Sequence, residues 1–133
     1  MDRVYKRLED YGVIGNLETC ALVGNDGSID WCCFPHLESP SVFAAILDAE
    51  KGGYFRIGPK HGVQAKQSYL EDTNILQTTF QCESGTVVLT DFMPVIEGSY
   101  SDASGIVVRA IAEASKCKWI LNLDSIMPVS CPT

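Results

Sequence analysis

Two short apolar-rich runs, Thr19–Val23 and Ser28–Phe34, are joined through Asn25-Asp26-Gly27. Asn, Asp and Gly tolerate the positive φ angles that a tight strand reversal needs, so this stretch predicts a β-hairpin. Comparable punctuation recurs at Gly52-Gly53, Gly58-Pro59, His61-Gly62, Glu71-Asp72, Glu83-Ser84-Gly85, Gly98-Ser99 and Met127-Pro128. The intervening segments are rich in Val, Ile, Thr, Phe and Tyr, the rhythm of an antiparallel all-β sandwich or barrel.

Further strands are predicted at Tyr54–Ile57, Val63–Tyr69, Asn74–Cys82, Thr86–Met93, Ile106–Ala112 and Lys118–Ile126. Within Asn74–Cys82, Leu76, Thr78, Phe80 and Cys82 share one face, while Ile75, Gln77, Thr79 and Gln81 share the other, largely polar one. One short helix is predicted over Ser41–Asp48. Ser39 would cap it, Pro40 would open it, and Val42, Phe43, Ile46 and Leu47 would recur on its buried side. Residues Val4–Tyr11 have the makings of a single turn.

Residues 1–133 read as one domain, long enough to bury a core without staples. A hydrophobic content of 46% with 20% charged residues is that of a soluble globular chain rather than a disordered one. The net charge of −7 and the scattered basic residues argue against nucleic acid. The densest basic group, Arg3, Lys6 and Arg7, is offset by Glu9 and Asp10. No run approaches the roughly 20 apolar residues of a membrane span, and no apolar segment follows the charged N-terminus as in a secretory signal. The expected setting is the cytoplasm.

Six cysteines invite a disulfide framework, yet Cys32 and Cys33 are adjacent and point to opposite faces of a strand. Four of the six fall within predicted strands, where free cysteine behaves as a small hydrophobe. Reduced structural thiols are the favoured reading, with one cross-strand disulfide left open. No Cys-x-x-Cys occurs, and neither His36 nor His61 has a second ligand at metal spacing, so no metal site and no cofactor are expected.

The words of the chain also resemble a known family. Tyr11-Gly12-Val13-Ile14-Gly15-Asn16, Ala21-Leu22-Val23, Asp26-Gly27-Ser28-Ile29-Asp30-Trp31-Cys32 and Ser39-Pro40-Ser41-Val42-Phe43-Ala44 are similar to the opening of the N-terminal domain of glycoside hydrolase family 15, the glucoamylase and trehalase-like enzymes. Gly52–Ile57 with Pro59, Tyr69–Leu76 and Thr86–Val95 continue the match in order, and Arg109 stands where a later strand of the family carries arginine. The resemblance implies the first part of a supersandwich-like β-sandwich. It also implies an extended arm rather than a turn over Val4–Tyr11. The catalytic carboxylates of the family sit on a separate helical barrel, for which 133 residues leave no room.

Asp26, Asp30, Glu38 and Asp48 are the candidates for a glycosidase acid pair. Their contexts favour structural roles: Asp26 in a turn, Asp48 at a helix end, and Asp30 outward on a strand opposite Ile29 and Trp31. Asp91 reads as a strand-end carboxylate taking backbone N–H bonds. His61 reads as a solvated turn residue. Trp31 and His36 are the two candidate sugar-contacting residues, although a core position suits Trp31 better. No catalytic residue is assigned. The leading expectation is a non-catalytic accessory domain packed on the helical barrel of an enzyme cleaving α-glucan or trehalose. The alternatives are a free-standing carbohydrate-binding sandwich and a structural module that associates with itself.

Overall fold

The computed structural model describes residues 5–59, 64–82, 85–95, 107–113 and 119–125. His61, Cys117 and Cys131 lie outside them. The described residues form two antiparallel sheets. The first contains β1 (Tyr11–Gly15), β2 (Cys20–Gly24), β3 (Ser28–Cys33), β4 (Ser41–Phe43), β5 (Gly53–Pro59) and β10 (Trp119–Ser125). Its order is β1-β2-β3-β5-β10, with β4 lying on the far half of β3. The second sheet runs β6 (Gln64–Tyr69), β7 (Leu76–Cys82), β8 (Gly85–Phe92) and β9 (Val108–Glu113). Strand bounds differ from expectation by one or two residues, and β1 is a further strand.

The β2–β3 hairpin forms as its sequence dictates. Gly27 takes φ +84°, its N–H bonds to the Gly24 carbonyl at 3.0 Å, and Asp26 Oδ1 accepts the Ser28 N–H at 3.1 Å. A Cβ on Gly27 would come within 1.9 Å of the Ile57 carbonyl oxygen, so the turn is wedged against β5.

Alternation sets the core. Leu76, Thr78 and Phe80 of β7, with Val87 and Leu89 of β8, turn inward and are buried. Leu76 joins Met93 and the first-sheet residues Ile14, Ala21, Val23, Ile29, Cys32 and Phe43 in one cluster, while Phe80, Val87 and Leu89 gather around Ile57 in a second. Phe55 packs against both and meets Phe43 edge to face at 6.4 Å. Gln77, Thr79 and Gln81 line the outer side of β7.

The helix expected over Ser41–Asp48 does not form. Ser41–Phe43 pairs with β3 instead, and the chain then turns through Ala44–Gly52. The second half of β3 extends past β5, and pairing its open backbone outweighs the local helical pattern. Leu47, placed on the buried side of that helix, is 76% exposed. Ser39 caps no helix, since its Oγ accepts the His36 N–H within a short loop turn. At the N-terminus, Leu8–Asp10 makes one 3-10 turn between extended residues.

Candidate functional site

A bulge decides what β3 presents. Leu22 pairs with Trp31, but the next residue, Val23, pairs with Ile29, so Asp30 is the extra residue in β3. Two of the expectations for this strand are corrected. Asp30 keeps to the outer side with Tyr11, but Lys6 covers it there and it is 2% exposed. Trp31 is half-buried rather than in the core, on the outer side of the first sheet, in a cross-strand row with Leu22 and the exposed Val13.

Asp30 is enclosed by donors. Lys6 Nζ lies 2.7 Å from Oδ2, Tyr11 Oη donates to the same oxygen at 2.7 Å, and Ser28 Oγ donates to Oδ1. Burial works to raise the Asp30 carboxyl, but the bonds from Lys6, Ser28 and Tyr11 and the Lys6 charge outweigh it and hold the carboxyl below its ordinary range. Lys6 also reaches Asp26 Oδ2 at 3.2 Å and lies over the Tyr11 ring. Asp26 in turn faces Arg56 Nε at 3.8 Å.

Lys6 therefore bridges the two carboxylates, 3.2 Å from Asp26 Oδ2 and 2.7 Å from Asp30 Oδ2. The gap between them contains an ammonium group. Each acid is engaged in an ion pair with that group.

Asp91 is fully buried in β8. Its partner is the Arg109 guanidinium at 2.6 Å and 3.2 Å, where backbone N–H bonds were expected. Asp48 Oδ1 accepts the Glu50 and Lys51 N–H groups at 3.0 Å each, closing a turn, and Glu38 is exposed in a loop. Among the described residues, no group of three or more His, Cys, Asp or Glu could hold a metal ion. Cys20, Cys32, Cys33 and Cys82 stand as reduced thiols, and burial with the neighbouring Cys33 and Cys20 pushes the Cys32 thiol up to about 12. Such a thiol carries almost no nucleophilic thiolate.

His36 occupies the loop after the cis Phe34–Pro35 peptide, at one end of the sandwich. Its Nδ1 lies 3.8 Å from Glu18 Oε2 in the β1–β2 turn, and the Leu37 N–H bonds to the Glu18 carbonyl at 3.0 Å. Leu37 is exposed, and Leu17, at φ +77°, is 94% exposed. Asn74 closes the same end by donating to the Gly15 carbonyl at 2.8 Å. Trp31 and His36 are thus placed on the sheet face and on the loop end, and no hydrogen bond, ion pair or ring contact joins them. Lys6 escaped the sequence reading because its two acids lie 20 and 24 residues away. The one available hint was a basic group with Glu9 and Asp10 close by, and these turn out to serve Arg7.

Comparison with known proteins places these features. A family model described as trehalase-like, N-terminal, matches residues 3–119. A trehalase of Thermoplasma volcanium is 46% identical over 94 residues, covering 68% of this chain and 15% of that protein. A trehalase of Mycolicibacterium smegmatis is 43% identical over 86 residues, covering 63% of this chain and 13% of its own length. One from Thermoplasma acidophilum is 52% identical over 77 residues, covering 55% and 13%. The chain thus spans a small N-terminal share of these relatives. No solved structure matches. Among the described residues, no helix is long and apolar enough to cross a membrane. On the family match over most of its length, the chain belongs to the trehalase-like N-terminal domain family.

Proposed function

We propose that this chain is the non-catalytic N-terminal domain of a glycoside hydrolase family 15 enzyme of trehalase type, acting in the cytoplasm on trehalose or a related α-glucoside. The hydrolytic carboxylates belong to a helical barrel on which the sandwich packs, where an acid protonates the leaving oxygen and a carboxylate activates water. The observation that carries this reading is the match of residues 3–119 to the trehalase-like N-terminal family, and in keeping with it Lys6 engages both Asp26 and Asp30 in ion pairs. Asp91 is likewise neutralised by Arg109. Trp31 on the outer face and His36 at the loop end are the residues through which the domain meets the sugar or the barrel.

Purified chain should release no glucose from trehalose or maltose, and measurable release would overturn the reading. Titration calorimetry with the same sugars tests the carbohydrate-binding alternative, which requires millimolar or tighter binding lost in Trp31→Ala. Self-association has its own support in Ile111, an exposed isoleucine on β9, the last strand of its sheet among the described residues. Light scattering across concentration checks it.

A further inference from the structure

The N-terminal arm ahead of β1 crosses the outer side of the first sheet and covers the Asp30 bulge. It contributes little to any core. Tyr5 and Leu8 are 58% and 80% exposed, and the 3-10 turn holds no buried residue. Its attachments are polar. Tyr5 Oη accepts the Ala49 N–H at 3.0 Å, the Asp10 carbonyl accepts the Asn25 N–H at 2.9 Å, and Lys6 lies between Asp26 and Asp30.

A segment held by hydrophobic burial leaves only when the core opens, whereas one held by charge leaves when the charge is screened or displaced. The energetics of Lys6 favour the second case. Breaking a buried ion pair is costly when the abandoned charge stays dry. Here the arm is itself the cover, so lifting it gives water to Asp30, and Ser28 and Tyr11 still donate to that carboxylate. A second feature shapes the seat. The Lys6 stem crosses Gly24 of β2, where a Cβ would stand 2.7 Å from Lys6 Cε. Glycine at that strand position leaves the room that the stem occupies.

We propose that residues 5–10 form an electrostatic strap, latched by Lys6 between Asp26 and Asp30, which opens and closes over β3 while the sandwich stays folded. Opening presents the Asp30 carboxylate and the Ser28 hydroxyl on the outer face of the sheet, and closing hides them.

The test is tryptic cleavage after Arg7, followed by intact mass, beside urea unfolding of the same samples. Lys6→Met removes the latch charge. Gly24→Val leaves every charge in place and fills the stem's seat with a residue suited to a strand. Both variants should be cleaved after Arg7 roughly tenfold faster than the parent, with urea midpoints close to the parent's, since local opening reports separately from global unfolding. Unchanged cleavage in either variant overturns the proposal. So does a midpoint that falls in step with faster cleavage, because the arm would then be part of the cooperative fold.

Discussion

Arg109 holds Asp91 with two nitrogens, at 2.6 Å and 3.2 Å, and spends its other N–H groups on the opposite sheet. Nη1 donates to the Phe55 carbonyl at 3.0 Å and Nη2 to the Gly27 carbonyl at 2.7 Å, while the guanidinium lies 5.2 Å from the Phe55 ring centre. One side chain thus ties β8 and β9 to β5 and to the β2–β3 turn, and it is 5% exposed.

Arg109→Met should cost roughly 3 to 5 kcal/mol in urea unfolding, because it strands the Asp91 charge and two buried carbonyls. Burial pushes the Asp91 carboxyl above its ordinary range against the pull of Arg109. A raised carboxyl contributes fully below its unfolded value near 4 and loses that contribution as pH climbs through the folded value. Without Arg109 the rise is larger, so the penalty should be smaller at pH 4.5 than at pH 8, two conditions chosen on that basis. An equal penalty at both would contradict the burial account.

Tyr69→Phe should open the edge of β1, an end strand of its sheet among the described residues. The Tyr69 hydroxyl accepts the Val13 N–H at 2.9 Å and donates to the Val13 carbonyl at 2.8 Å, which occupies both backbone groups of Val13. The loss should be roughly 1 to 2 kcal/mol by chemical unfolding. Light scattering should also show more association, because an unblunted edge templates pairing.

Gly27→Ala tests the wedge between the hairpin and β5. The positive φ and the 1.9 Å approach to the Ile57 carbonyl cannot both survive a methyl group. A destabilisation above about 2 kcal/mol is expected from strain and displacement together. A thermal shift near zero would mean that the turn can move off β5.

Acid should act first on the arm. Lys6, Asp26, Tyr11 and, beyond Asp26, Arg56 face the Asp30 site. The Asp30 carboxyl lies low despite its burial, so its contribution is present above the unfolded value near 4 and is lost as pH falls through the folded value. Nuclear magnetic resonance of Tyr5 and Lys6 should report release of the arm in that acid window. Asp30→Asn should remove the pH dependence and leave the arm open at neutral pH.

Where the sequence spoke through local chemistry, the fold was legible. Asn25-Asp26-Gly27 announced its hairpin, and the alternation from Leu76 to Phe80 announced which side of β7 is buried. Ser41–Asp48 misled because its helical spacing is real but weaker than the need of β3 for a partner. Trp31 misled for a different reason, since strict alternation assumes no bulge and one extra residue turned it to the outer side, while Asp30 misled because Lys6, distant in sequence, covers it. Of the candidate site residues, the loop position of His36 could be read from Pro35-His36. The ion pairs of Lys6 and Arg109 are long-range contacts that no local pattern encodes.

Leu17 carries a consequence for engineering. A leucine twisted into the left-handed region gains nothing from burial in return, since it stands almost wholly in water. Glycine at that position should relax the backbone, forfeit no packing and raise the melting temperature by a few degrees, on the order of 0.5 to 1 kcal/mol. The greasy tip of the β1–β2 turn can therefore be removed to yield a sturdier and more soluble domain.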